Sequence, residues 1–226
     1  MRRFFVETLP TAASPMCRLS KSETHHLFRV VKIAQGEEVE LFDGMGGGCI
    51  AVLHHTRGEE ALLEWVRGSQ ETMEPTLWLY LSLLKQQAWS TALRMVVEAG
   101  VSDIVPVCTA HSIAKHEKRE RWEKIIFAAT KQSGRKSIPN LHRMCVPQQV
   151  YTAHSQKVRY ILSPTVTEQS SSKPDDVALW IGPEGGFSSQ EFQAARDGGW
   201  IPMGLGRNTL RADTAAIVAV SHFLCS

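Results

Sequence analysis

The residues best suited to chemistry lie in Ile181-Gly182-Pro183-Glu184-Gly185-Gly186-Phe187-Ser188. Three glycines let a ligand approach bare backbone. The one charged group, Glu184, would repel a phosphate. This composition points away from a nucleotide-phosphate cradle and toward a ligand with hydrogen-bond donors or positive charge. A second loop of the same kind is Gly204-Leu205-Gly206-Arg207-Asn208-Thr209-Leu210-Arg211. Arg211 stands just before a helix that Asp213 or Thr214 could cap, where the helix macrodipole opposes a cation. Its partner is therefore sought in an anionic substrate, in a carboxylate such as Glu98 or Glu184, or in an ion pair within the loop. Further cations close Lys131-Gln132-Ser133-Gly134-Arg135-Lys136-Ser137-Ile138-Pro139. The helix is expected to stop at Ser133-Gly134, leaving Arg135 and Lys136 to project from a loop toward phosphates or to form an ordinary surface turn. Ser188 lies in Gly-Phe-Ser-Ser-Gln rather than in a nucleophile elbow, and reads as a helix cap completed by Glu191.

The elements around these loops follow from periodicity. Val177-Ala178-Leu179-Trp180 predicts a buried strand before the first loop and Ser188 a helix after it. Trp200-Ile201-Pro202-Met203 predicts a strand before the second loop, and Ile217, Val218, Val220, Phe223 and Leu224 the apolar positions of a terminal helix. Ligands of open α/β sheets bind at strand ends, so two glycine loops at successive strand ends could line one pocket. Upstream, Leu77–Leu84, Asp103–Val107, Leu141–Val146 and Val158–Leu162 predict strands, and Ala88–Ala99 and Lys115–Gln132 helices, the latter with i, i+4 pairs Glu117–Arg121 and Glu120–Lys124. Such alternation implies a parallel sheet covered by helices. Residues 1–70 are β-rich instead. Glu38–Phe42 and Cys49–Leu53 flank a glycine turn, Leu62–Val66 adds a strand, and His25–Val31 a short helix started by Ser20 or Ser22, which together suggest a small barrel. The glycines after Asp43 lack dinucleotide-fingerprint spacing, and a strand follows them. Gln70–Pro75 is the natural linker, and Glu168–Pro174 a polar, serine-rich loop.

The chain has 226 residues, 43% of them hydrophobic and 21% charged, as in an ordinary globular protein. It shows no long apolar run and no signal-peptide pattern. Five widely spaced cysteines and the His25-His26 and His54-His55 pairs offer no metal-ligand spacing, so no metal is expected and a reduced, intracellular protein is. The formal charge of +2 hides an asymmetry: residues 1–72 hold 8 Lys and Arg against 10 Asp and Glu, whereas residues 111–143 hold 9 against 3. A concentrated basic segment suits a polyanionic partner, nucleic acid above all, although a solvated helix face has the same composition.

These motifs together resemble the RsmE family of SPOUT-class ribosomal RNA methyltransferases. The resemblance is carried by residues 181–188 with Glu191 and by Leu205-Gly206 with Leu210-Arg211-Ala212-Asp213-Thr214-Ala215. Weaker matches are Lys85, Glu98-Ala99-Gly100-Val101, Gln132-Ser133-Gly134-Arg135 with Pro139, Arg3-Phe4-Phe5, His26 and Phe42-Asp43-Gly44. It implies an N-terminal PUA-like β-barrel for RNA binding over residues 1–72 and a SPOUT-type α/β domain with a C-terminal trefoil knot over residues 73–226. It also implies a cytoplasmic homodimer that binds S-adenosylmethionine and methylates N3 of a uridine in small-subunit (16S) ribosomal RNA, free or in the assembled subunit.

Carried over residue by residue, the resemblance places the cofactor against Leu162, Ser163, Pro164, Gly182, Pro183, Glu184, Gly185, Gly186, Leu205, Gly206 and Leu210. It makes Arg211 catalytic and gives Arg3, Lys85, Arg135 and Lys136 to RNA. A cationic sulfonium suits a glycine loop that carries a carboxylate. The chain departs from the family pattern at Lys32, Val97, Ala99, Lys131, Asn208, Thr209 and Asp213, and none of these removes the glycine loop or Arg211. Two alternatives remain open: a SPOUT methyltransferase acting on another RNA such as transfer RNA, and a non-catalytic RNA-binding assembly factor.

Overall fold

A computed structural model describes residues 1–57, 60–69, 75–166, 174 and 176–224. The chain divides into two compact units, Met1–Met73 with Thr130–Ile138, and Glu74–Ala129 with Pro139–Ser226.

In the first unit, strands β1 (Arg3–Phe5) and β2 (Met16–Arg18) precede helix α1 (Lys21–His25), and β3 (Glu38–Phe42), β4 (Gly48–Arg57) and β5 (Glu60–Gly68) complete a five-stranded sheet. Its order is β1-β3-β4-β5-β2. Only β1 and β3 run parallel. Val39 and Leu41 are buried and alternate with Glu38 and Glu40, as a half-buried strand requires. They join Phe4, Leu27, Leu53 and Leu63 in one core. Register shifts between Ile50 and Ala51 and between Leu53 and His55 interrupt the β4–β5 ladder, and such irregularities bend and twist a strand. The helix expected over His25–Val31 starts earlier: Ser20 Oγ accepts the Glu23 N–H, and a π-turn over His26–Val31 follows. The wider turn closes with the Lys32 N–H on the Leu27 carbonyl, Lys32 itself lying at φ +56°.

In the second unit, β6 (Thr76–Ser82), α2 (Gln86–Glu98), β7 (Asp103–Val107), α3 (Arg119–Ser133), β8 (Asn140–Leu141), α4 (Pro147–Val150), β9 (Val158–Leu162), β10 (Asp176–Ile181), α5 (Ser189–Asp197), β11 (Ile201–Met203) and α6 (Ala212–Leu224) alternate along the chain. The last turn of α3, from Thr130, is counted with the first unit. Six strands form one all-parallel sheet in the order β11-β9-β10-β6-β7-β8. Tyr80, Val105, Ile161, Ala178 and Trp180 share a core with Ala195 of α5 and with Trp200. Helices α2 and α6 pack on one another, and α6 on β6 and β10.

Two elements are shorter than the sequence suggests. α3 begins at Arg119 rather than Lys115, because the chain before it is drawn into a turn in which Lys115 Nζ donates to the Thr109 carbonyl. The intended pairs over 117–124 are replaced by Arg119 with Glu117 (3.3 Å) and Glu123 (2.8 Å). The strand expected over 141–146 pairs only at Asn140–Leu141, with a further bridge from Cys145 to Val107. At this sheet edge Arg119 takes the Leu141 carbonyl at 2.7 Å, and the His142 ring turns to Asp103 at 2.8 Å. Most of Gln70–Pro75 and of Glu168–Pro174 lies outside the described residues.

Candidate active site

Strands β11, β9 and β10 are neighbours and parallel, so the loops leaving their C-terminal ends meet at one edge of the sheet. Those loops begin after Met203, Leu162 and Ile181, and between them lies a cleft of about 740 Å³, a volume typical of small-molecule sites. One wall is Gly182–Ser188, the second Leu162–Val166 and the third Leu205–Gly206 with Asn208–Asp213. Ala88 of α2 and Ser189 and Phe192 of α5 complete it. All eleven residues expected to meet a cofactor line this cleft, and so does Arg211.

Each loop is held by its own bonds. Trp180 stacks edge-on against Phe187 at 5.0 Å between ring centres, and a Cβ at Gly182 would lie 3.1 Å from that ring. The Gly186 N–H donates to the Pro183 carbonyl at 2.9 Å, and Gly186 turns back at φ +70°, in the left-handed region that favours glycine. The capping box is present: Ser188 Oγ accepts the Glu191 N–H at 3.2 Å, and Glu191 Oε2 accepts the Ser188 N–H at 2.9 Å. Ser163 anchors the second loop, donating its N–H to the Met203 carbonyl and accepting the Thr165 N–H on its hydroxyl.

Glu184 Oε1 accepts the Lys85 N–H at 3.0 Å. Lys85 is the N-cap position of α2 and its own side chain makes no cap bond there, so the carboxylate satisfies a free helix donor and meets the positive end of the macrodipole. One Glu184 oxygen is thus committed to the fold. Arg211 pairs neither with Glu184 nor with Glu98. Glu98 sits 4.0 Å from Arg94, and Arg211 Nε is 3.6 Å from Asp213 Oδ1. α6 begins one residue before Asp213, with the Arg211 carbonyl accepting the Ala215 N–H. Asp213 lies in the first turn, where an acid suits the dipole, and offsets the arginine that the dipole opposes. The Arg211 side chain is still 81% exposed at the cleft wall.

The residues present fit a methyl donor of the adenosyl sulfonium type. Backbone is bare at Gly182, Gly185 and Gly186, apolar side chains of Ile181, Phe187, Met203 and Leu205 face the space, and Glu184 and Asp213 are the acids on its wall. Among the described residues no group of His, Cys, Asp and Glu could hold a metal ion.

The expected RNA contacts are placed differently. Lys85 is exposed at the start of α2. Arg3, Arg135 and Lys136 belong to the first unit, and they do not project from a loop. Arg3 Nε pairs with Glu40 at 2.8 Å while its Nη1 donates to the Arg135 carbonyl at 3.1 Å. Arg135 is only 8% exposed, and Lys136 reaches Ser69 Oγ at 2.8 Å and Glu40 at 3.8 Å. Two cations sharing one carboxylate fix the segment after α3 within that unit. Sequence reasoning missed His111, whose ring meets the Gly185 and Gly186 carbonyls. Its signal was position, since it follows β7 in a sheet whose strand ends build the site.

A model of the RNA methyltransferase domain matches residues 72–224, and one of the RNA methyltransferase PUA domain matches residues 19–63. The chain is 28% identical over 217 residues to ribosomal RNA small subunit methyltransferase E of Synechocystis sp., covering 90% of this chain and 71% of the relative. The protein of the same name from Rickettsia conorii is 26% identical, with 97% and 93% covered. The crystal structure of ribosomal RNA small subunit methyltransferase E from Neisseria gonorrhoeae bound to S-adenosyl methionine superposes with a TM-score of 0.90 at 26% identity, covering 98% of this chain and 96% of that one.

Proposed function

We propose that this chain, which belongs to the family of RNA methyltransferase domains, uses S-adenosylmethionine to methylate N3 of a uridine in small-subunit ribosomal RNA. The observation that carries this is the cleft, in which three strand-end loops offer bare glycine backbone beside the Glu184 carboxylate and an exposed arginine. Relatives matched over 71% or more of their length are named ribosomal RNA small subunit methyltransferase E, one of them seen with S-adenosyl methionine bound. The choice of a uridine N3 rests on the resemblance carried by residues 181–188 and 205–215.

S-adenosylmethionine supplies an electrophilic methyl group on a cationic sulfur. Gly182, Pro183, Gly185 and Gly186 would receive it on one side, Leu162, Ser163 and Pro164 on another, and Leu205, Gly206 and Leu210 on the third. The free oxygen of Glu184 would favour the positive charge. Methyl transfer is an in-line displacement, so what these residues contribute is alignment. Uridine N3 must lose its proton to attack, and the guanidinium of Arg211 would stabilise the resulting anion. Lys85, exposed at the start of α2, suits a phosphate contact. Arg3, Arg135 and Lys136 would act on RNA by shaping the first unit rather than by direct reach.

The same resemblance supports a PUA-like barrel over residues 1–72, a SPOUT domain over residues 73–226 whose C-terminal segment is threaded through a trefoil knot, and a homodimer working in the cytoplasm. Arg211→Ala tests the catalytic assignment. Affinity for S-adenosylmethionine, measured by titration calorimetry, should stay within about twofold, while methylation of small-subunit RNA should fall by ~10²–10³-fold, the scale for losing one electrostatic stabiliser. Retained methylation would refute the role.

A further inference from the structure

We propose that His111 is a positioning residue for the methyl-donor site: its Nδ1–H, shared between the carbonyl oxygens of Gly185 and Gly186, fixes the glycine loop in the shape that receives the ligand. This rests on the cofactor assignment made above.

His111 Nδ1 lies 3.0 Å from the Gly185 oxygen and 3.1 Å from the Gly186 oxygen. Both oxygens can only accept, so Nδ1 must carry the hydrogen and donate to both. The tautomer follows from the partners, and protonation of the ring would leave this donor in place. Two successive carbonyls turn toward one donor because Gly186 is left-handed at φ +70°. The C=O and N–H of one peptide unit point in opposite directions. Holding the Gly186 oxygen on His111 therefore turns the Phe187 N–H to the other side of the loop.

The imidazole is itself mounted on a rigid turn. The Ser112 N–H donates to the Thr109 carbonyl at 3.2 Å, the Thr109 N–H to Ser112 Oγ at 3.2 Å, and both residues are buried. The Ala110 N–H donates to Glu191 Oε1 at 2.8 Å, while the other oxygen of that buried carboxylate holds Ser188. The turn after β7 thus grips the glycine loop twice, at the start of α5 through Glu191 and at its tip through His111. The composition of the loop agrees. A Cβ at Gly185 would lie 3.1 Å from the His111 Cβ, so the place of a side chain is taken by the clamp. His111 is exposed and outside both cores, so its conservation of loop shape is separable from folding.

The test is titration calorimetry of the full chain with S-adenosylmethionine and with its neutral product S-adenosylhomocysteine, alongside hydrogen exchange at Gly186 and Phe187 in the unliganded chain. His111→Phe keeps the ring without a donor, His111→Ala removes both, and His111→Asn restores a donor at the Nδ1 position. With Phe and Ala, affinity for both ligands should fall about 3- to 10-fold, on the order of one hydrogen bond, and exchange at the two amides should quicken. Asn should stay within about twofold of the parent. Parent-like affinity and exchange in Phe and Ala, or Asn no better than Ala, would overturn the role of His111 and leave the cofactor assignment standing. Failure of the parent chain to bind either ligand would instead overturn the cofactor assignment, and this inference with it.

Discussion

Replacing Gly186 by alanine adds one methyl group where nothing lies within 4 Å, so the substitution has no steric cost against neighbours. Its whole cost is backbone strain, because φ is +70° there. An L-residue held in the left-handed region costs about 1–2 kcal/mol. That cost must appear somewhere. If the unliganded loop keeps its shape, the loss falls on folding stability. If the loop relaxes, the loss falls on ligand affinity, where 1–2 kcal/mol is about 5- to 30-fold in Kd. The sum of the two, read by urea denaturation and by calorimetry with S-adenosylmethionine, should come to roughly 1–2 kcal/mol. Gly186→Asn should recover much of it, since asparagine visits this region readily. Gly36, at φ +85° in the first unit and also without neighbours, is the control: Gly36→Ala should lower stability and leave ligand affinity unchanged. Alanine at 186 matching the parent in both measurements, or asparagine faring no better than alanine, would refute the reasoning.

Other consequences follow from single contacts. Glu184→Gln keeps an acceptor for the Lys85 N–H and removes the charge at the α2 N-terminus, so stability should fall by only about 0.3–1 kcal/mol. Calorimetry should show affinity for S-adenosylmethionine falling several-fold further than affinity for S-adenosylhomocysteine, whose sulfur carries no charge. Burial, with Lys157 nearby, holds His154 below its ordinary value of 6.5. The unfolded chain therefore takes up a proton that the folded chain resists, and stability present above about pH 6.5 is lost as pH falls below it. His154→Asn, which suits the φ of +52° there, should flatten that slope in denaturation curves between about pH 5 and 8. Lys131 Nζ binds both oxygens of the buried Glu23, at 2.7 and 2.8 Å. Lys131→Met should cost about 2–3 kcal/mol by stranding that carboxylate, somewhat less than a fully buried pair because the lysine is part-exposed. Adding Glu23→Gln should restore part of the loss.

The candidate site was legible because its elements are local. A buried strand, a glycine loop and a capped helix follow within some twenty residues, and both the α5 cap and the cleft lining at 182–188 are where their sequence places them. Parallel pairing followed from strand–helix alternation, but strand order did not. Nothing in the spacing said that β9 lies between β10 and β11, which is what joins the three loops. Long-range polar contacts were invisible for the same reason. The Arg135 and Lys136 pattern reads as an exposed loop, yet Glu40, nearly a hundred residues earlier, draws Lys136 inward. For Arg211 the sequence offered a substrate, a distant carboxylate or a local ion pair, and the contact found is local, with the acid two residues on. At the sheet edge, Pro106 of β7 has no N–H to offer a neighbouring strand, and the ladder to β8 breaks off after the His142 N–H reaches the Ile104 carbonyl. The β-propensity of that stretch gave no warning.

Methyl transfer itself is the most direct test. Purified chain would be incubated with radiolabelled S-adenosylmethionine and small ribosomal subunits or ribosomal RNA lacking the modification, and the RNA digested to identify the labelled nucleoside. The expected result is label in 3-methyluridine of small-subunit RNA, lost with Arg211→Ala. Label in a different nucleoside or in transfer RNA would contradict the substrate assignment. Absence of label from a chain that binds the cofactor would contradict catalysis and favour an RNA-binding assembly factor.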